Sequence, residues 1–237
     1  MLQRLFDILF SALALAVLSP LLIPIAIVLR LTGEGEIFFL QERIGRGGKP
    51  FKLYKFVTML KNSPNIGPRT ITVKDDPRIL PVGKFLRKAK INELPQLLNV
   101  LFGEMSVIGP RPLTQQAFNS YPPEAREIVK RVRPGLSGIG SIIFRSEEDI
   151  LGDGEGSLDF YSRVIAPYKG AVEAWYVQHQ GVRIYFLLIF ATLSAVSCSK
   201  SALHWRLFCS LPEPPKELKK ALNWKGEALD PRRFHPP

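Results

Sequence analysis

Arg87, Lys88 and Lys90 stand immediately before Asn92-Glu93, so groups that bind phosphate lie beside a carboxylate and an amide. Phosphoryl transfer asks little of a protein beyond positioning and charge neutralisation, so cations, a metal-holding carboxylate and an aligned nucleophile suffice for it. Further along, Arg111 sits between Pro110 and Pro112, which restrict its backbone before any ligand arrives and suit its planar fork to bidentate phosphate recognition. Arg133 in Arg133-Pro134-Gly135 follows the same logic. Taken singly, each feature also has a plain reading, because Arg-Pro pairs make turns and a basic helix start is often only a solvated face.

Charge supports the phosphate reading by its location. Of the net +11, about ten charges lie between Gln41 and Lys90, where 13 basic residues face 3 acidic ones. Such a block implies a polyanionic partner: anionic membrane lipids, phosphate-bearing substrates or nucleic acid. Nucleic acid is disfavoured, since no aromatic stacking platform is interleaved with the cations and the apolar N-terminus would be left unexplained. Two cysteines, Cys198 and Cys209, and three scattered histidines make neither a disulfide framework nor a zinc site. No phosphate-binding glycine loop, dinucleotide fingerprint or internal repeat is present.

The elements that must position these groups begin with an apolar stretch. Ile8 to Leu29 is uncharged over 22 residues and flanked by Arg4 and Arg30, long enough for a helix to cross the bilayer at about 1.5 Å per residue. Ser19-Pro20 and Pro24 remove backbone donors near its middle, and basic residues at both ends favour the cytoplasmic side for each. This pattern predicts a helix-break-helix that dips into the membrane and returns; an ordinary span and a signal peptide are the alternatives.

The remainder reads as α+β and mainly helical. Ile37–Leu40 and Phe51–Phe56, separated by Gly45, Gly47 and Gly48, predict a small β-hairpin, and residues 62–81 a surface loop. Apolar spacing at Ile91, Leu94, Leu97, Leu98 and Leu101 predicts one helix over 86–101. Others are expected from Pro122 to Arg131 and from Asp159 to Gln180, with an apolar segment from Ile184 to Val196 that packs in the core or lies against lipid. The predicted division is a re-entrant membrane helix over 1–33, a compact cytoplasmic domain with membrane-associated helices over 34–210, and a flexible tail, rich in proline and charge, over 211–237.

From Arg4 to about Ala195, the ordered blocks of this sequence resemble the bacterial sugar transferases, the monotopic phosphoglycosyl transferases. The blocks are Arg4-Leu5-Phe6-Asp7 leading to Ser19-Pro20, Gln41-Glu42-Arg43-Ile44-Gly45, Tyr54-Lys55-Phe56-Val57-Thr58-Met59 and Asp76-Pro77-Arg78-Ile79. They continue with Gly83-Lys84-Phe85-Leu86-Arg87, Asn92-Glu93-Leu94-Pro95-Gln96, Gly109-Pro110-Arg111-Pro112 and Arg133-Pro134-Gly135.

The resemblance implies a reaction at the bacterial inner membrane, on its cytoplasmic face. A UDP-sugar reacts at its β-phosphate, UMP leaves, and polyprenyl phosphate becomes a polyprenyl diphosphate sugar with Mg²⁺ assisting, as the initiating step of surface polysaccharide or glycoconjugate synthesis. It implies catalytic roles for Asn92 and Glu93, with Glu93 on the metal, substrate-binding roles for Lys55, Arg78, Arg87, Arg111 and Arg133, and a membrane break at Ser19-Pro20. Three departures stand out. Val57 replaces a usual basic residue, the stretch after Gly138 differs from the commoner version, and Asn92 occupies the place of the aspartate thought to attack the β-phosphate. That last change leaves open a catalytically inactive membrane scaffold that binds lipid phosphate; sugar identity and self-association are also left open.

Overall fold

The structure is a computed structural model describing residues 2–32, 34–63, 76–151, 157–198 and 202–224. It is mainly helical with two small sheets. The chain divides into two compact units: one comprises the chain up to Phe6, Arg43–Phe51 and everything from Glu104 on; the other comprises Asp7–Glu42 and Lys52–Gly103.

Helix α1 (Leu2–Leu31) is long and apolar enough to cross a membrane. It runs on through Pro20 and Pro24, where the sequence pattern predicts a break. Pro20 has no N–H to give to the Ala16 carbonyl four residues back. The Ser19 hydroxyl donates to that carbonyl instead, at 2.8 Å, so the acceptor that proline orphans is satisfied within the same turn. Helical hydrogen bonding thus continues past the Ser-Pro pair, while the proline ring still crowds the Ala16 carbonyl and leaves Pro20 the place where the axis can bend.

Strands β1 (Phe38–Ile44) and β2 (Pro50–Phe56) form the expected hairpin. Its turn at Arg46–Gly48 needs φ of +73° at Gly47 and Gly48, which glycine adopts without a Cβ clash. Helix α2 (Pro81–Lys88) and α3 (Gln96–Phe102) replace the single helix expected over 86–101. Between them Lys90 turns left-handed (φ 58°, ψ 14°), Ile91–Glu93 forms one 3₁₀ turn, and Pro95, which has no N–H to donate, precedes α3. Periodicity alone could not register this reversal, since the apolar positions continue across it.

In the second unit Leu29, Phe56 and Leu86 are buried together, with Leu22, Ile25, Ala26, Ile37, Val82 and Ile91 packed around them. The C-terminal half of α1 is thus tied to β2 and α2.

In the first unit β3 (Ser106–Ile108) pairs in parallel with β4 (Gly135–Ser137), Ser106 opposite Gly135 and Ile108 opposite Ser137. Between them run α4 (Gln115–Asn119) and α5 (Pro123–Val129). Beyond lie α6 (Ile139–Ile143), α7 (Glu147–Leu151) and α8 (Ser157–Phe160), which passes through a π turn at Tyr161–Ile165 into α9 (Ala166–His179). Helix α10 (Val182–Ser197) follows, and Val172, Leu188, Ile139 and Ile165 centre the core.

After α11 (Leu203–Leu207) and the buried Phe208, where a flexible tail is expected from Leu211, the chain instead forms α12 (Lys216–Lys219) and buries Leu218 and Leu222 in that core. Trp175 Nε1 donates to Ser210 Oγ and Tyr168 Oη to the Pro212 carbonyl, which fastens this extension to α9. Leu218 and Leu222, four apart, are the apolar signal that the proline and charge content concealed. Residues 225–237 and the centre of the loop expected over 62–81 lie outside the described residues.

Candidate functional site

Several polar groups of the second unit that the sequence singles out lie next to a core residue or one position beyond it. Lys55 precedes Phe56, Arg87 follows Leu86, and Asn92-Glu93 follows Ile91, so the packing around Leu29 sets where these polar groups emerge. Lys55 Nζ lies 3.7 Å from Glu93 Oε1, with the lysine side chain 20% exposed and the glutamate 41%. Asn92 Oδ1 is buried and has no hydrogen-bond partner among the described residues. An unpaired buried carbonyl oxygen is costly, and its neighbour is a half-exposed carboxylate held against a cation.

Three further residues fix this arrangement. Asn99, fully buried on α3, accepts the Tyr54 N–H at 3.0 Å and donates to the Lys52 carbonyl at 2.7 Å, so it pairs with β2 on both sides of Leu53 and sets the register of Lys55. Gly83 lets α2 ride over Thr58: a Cβ there would sit 2.3 Å from the Thr58 carbonyl oxygen. One turn on, Arg87 Nη1 reaches Thr58 Oγ1 at 3.5 Å. The left-handed Lys90 costs about 1–2 kcal/mol relative to ordinary geometry, and such strain clusters at working sites. None of the three announces itself by residue type, though a polar Asn99 within the apolar stripe of α3 is a visible hint.

Arg78 is placed otherwise than expected. It is 2% exposed, donating from Nε and Nη2 to the two oxygens of Asp76 at 2.8 and 2.6 Å, and from Nη1 to the Ser63 carbonyl at 2.7 Å. These bonds tie Arg78 to its own loop.

The second unit also holds an open apolar groove of about 250 Å³, lined by Leu15, Ser19, Leu22, Phe56, Pro95 and Leu98 among others. Pro95 and Leu98 belong to the same stretch as Asn92-Glu93.

In the first unit the two Arg-Pro segments come together. The Gly135 N–H donates to the Pro110 carbonyl at 2.7 Å and the Ser106 N–H to the Pro134 carbonyl at 2.9 Å. Gly109 and Gly135 make this possible, since a Cβ on either would fall within 2.6 Å of the opposing backbone. Arg111 is exposed, and its guanidinium makes no hydrogen bond or ion pair among the described residues. Its backbone N–H donates to Glu173 Oε1 at 3.0 Å, a partner that sequence reasoning missed.

The family described as Bacterial sugar transferase matches residues 1–199. The chain belongs to the bacterial sugar transferase family. It is 34% identical to the exopolysaccharide production protein ExoY of Sinorhizobium fredii strain NGR234, over 84% of this chain and 87% of that protein. It is 38% identical to a UDP-glucose:undecaprenyl-phosphate glucose-1-phosphate transferase of Klebsiella pneumoniae, over 67% of this chain and 34% of that protein. A protein of the same description from Escherichia coli K12 is 35% identical, over 80% of this chain and 40% of its own length. As a member of this family, the protein is an enzyme of the phosphoglycosyl transferase type. The helices α11 and α12 lie beyond the matched region.

Proposed function

We propose that this sugar transferase moves a sugar-1-phosphate from a UDP-sugar to polyprenyl phosphate, releasing UMP, as the first membrane step of a surface glycan. The observation that carries the reading is the Lys55–Glu93 pair beside the buried, unpartnered Asn92 oxygen, on a framework whose family includes named undecaprenyl-phosphate transferases. In this reading an oxygen of the acceptor phosphate attacks the β-phosphorus, and the bond to the bridging oxygen breaks, leaving its electron pair on UMP. Lys55 and Arg87 bind and orient the phosphates, and Arg111 and Arg133 hold the nucleotide. The apolar groove suits the first isoprene units of the acceptor.

Mg²⁺ fits the residues present. Among the described residues no three carboxylates, histidines or cysteines gather as a cage, but this ion commonly takes one or two protein oxygens and completes its shell with substrate phosphates and water. Glu93 and the unpaired Asn92 Oδ1 are such oxygens. When bound there, the ion would neutralise charge on the diphosphate. UMP release from a panel of UDP-sugars, with polyprenyl phosphate and Mg²⁺, tests the reaction. No release with any donor would leave the second reading, an inactive lipid-phosphate-binding scaffold, which the amide at Asn92 favours.

The re-entrant arrangement of α1 is part of the proposal. Arg4 and Arg30 both favour the cytoplasmic side. Cysteines introduced at positions 3 and 32 are expected to resist a membrane-impermeant thiol reagent in intact cells. Labelling of either from outside would make α1 a span.

A further inference from the structure

A charged cluster lies buried in the first unit behind the Pro110-Arg111-Pro112 loop. Glu173, on α9, is 1% exposed. Its Oε1 takes the Arg111 N–H, which is the sole backbone donor of Pro110-Arg111-Pro112, while Oε2 has no partner among the described residues. Helix α6 makes room for the carboxyl with Gly140, where a Cβ would sit 2.2 Å from Oε1. The Tyr121 hydroxyl, also buried and unpartnered, lies within electrostatic range of Glu173. One turn earlier on α9, Lys169 is buried and committed to Glu147, with Nζ at 2.8 and 2.6 Å from its two oxygens.

Burying a carboxyl with one oxygen unsatisfied is unfavourable, and a glutamine or an apolar residue would fill α9 at less cost. A compensating role is therefore expected, and the one bond that Glu173 makes points to it. We propose that Glu173 positions Arg111, holding the Pro-Arg-Pro loop by its single N–H so that the guanidinium stands free for the nucleotide. This rests on the reading of Arg111 as a nucleotide-binding residue.

Burial pushes the Glu173 carboxyl up to about 7, against the opposing pull of the Arg111 N–H and of the Lys169 and Arg111 charges. The groups facing it are Arg111 from the loop, Lys169 on α9 with Glu147 from α7, and the Tyr121 and Tyr161 hydroxyls, both of which sense the same charges. Oε1 accepts from the Arg111 N–H whether or not the carboxyl carries a proton. The loop is then held in both protonation states, more strongly in the ionised one.

The test is binding of UDP with Mg²⁺ to the detergent-solubilised full chain by calorimetry, which needs no turnover. Arg111→Ala is expected to weaken UDP by about tenfold or more, the scale of one charge-assisted contact. Glu173→Asp, too short to reach the Arg111 N–H, should weaken it by about fivefold in the wild-type background and add less than about twofold to Arg111→Ala. Glu173→Gln keeps an acceptor oxygen for the Arg111 N–H and removes the charge. It should bind UDP within about twofold of wild type at pH 6, and its affinity should diverge from wild type as pH rises through about 7.

A Glu173→Asp protein that melts normally and binds UDP as wild type does would overturn the proposal, as would an equal loss in both backgrounds. If Glu173→Asp does not fold, Glu173→Gln decides: retained binding with the pH divergence supports positioning, and lost binding or parallel pH profiles overturn it. Arg111→Ala with unchanged affinity would remove the nucleotide role itself. A weak Arg111→Ala beside a neutral Glu173→Asp would remove only the positioning.

Discussion

Glu93→Gln is expected to lower UMP release at least about a hundredfold, the scale of one preorganised charge lost at a phosphoryl centre, while shifting stability by no more than about 1 kcal/mol. The two magnitudes separate because the ion pair is weak as a structural bond. Glu93 is 41% exposed and Lys55 Nζ lies 3.7 Å away, so water screens the pair and little folding energy depends on it. A carboxylate meeting a metal-neutralised diphosphate has a different value, since it acts on charge that develops only during transfer. Activity assays paired with thermal melts on Glu93→Gln and Lys55→Met read both quantities. If Glu93→Gln melts several degrees lower and its activity falls only with the folded fraction, the pair serves the fold and the catalytic role fails.

Local order along the chain was more legible in the sequence than the geometry that holds it. Lys55, Arg87, Asn92 and Glu93 stand out by type and spacing, and the structure brings Lys55 to within 3.7 Å of Glu93. Arg78 is as basic as the rest, yet Asp76 two residues away takes its guanidinium into a buried pair that the sequence does not announce. The hairpin was readable from its glycines. The reversal at Lys90 was not, because a left-handed lysine leaves no compositional trace and the apolar spacing runs on across it.

Long-range partners were the least visible. Glu173 and Arg111 are 62 positions apart, and only the oddity of an acid within the apolar stretch Ala171–Val177 hints that something must meet it. Asn99 likewise joins α3 to β2 across 45 positions. Pairing of this kind is set by topology, whereas periodicity and turn chemistry report only what neighbours along the chain can do. The Ser19 hydroxyl is an intermediate case: its partner is only three residues away, but proline's missing donor is the stronger signal in the sequence.

Asn92→Asp is the substitution expected to change the kind of reaction and not only its speed. An amide does not attack phosphorus, so the wild-type protein needs another nucleophile, and the acceptor phosphate brings an anionic oxygen of its own. Direct transfer then requires donor and acceptor together, and wild type is expected to release UMP only when polyprenyl phosphate is present, with no sugar phosphate retained on the protein. A carboxylate at position 92 can attack the β-phosphorus itself: the new bond is an acyl phosphate, the bond to the bridging oxygen breaks, and UMP departs before any lipid arrives. Asn92→Asp is therefore expected to release up to one UMP per enzyme without acceptor and to carry a phosphosugar adduct, visible by intact mass and labile to hydroxylamine. Burial of the Asn92 oxygen argues for trapping this adduct, because a shielded acyl phosphate hydrolyses slowly. Acceptor-independent adduct on wild type would sink direct transfer and move the nucleophilic role to Glu93. Silence from wild type beside turnover by Asn92→Asp would mean that the amide keeps an otherwise complete site inactive, and the protein's work would then be to hold lipid phosphate rather than to transform it.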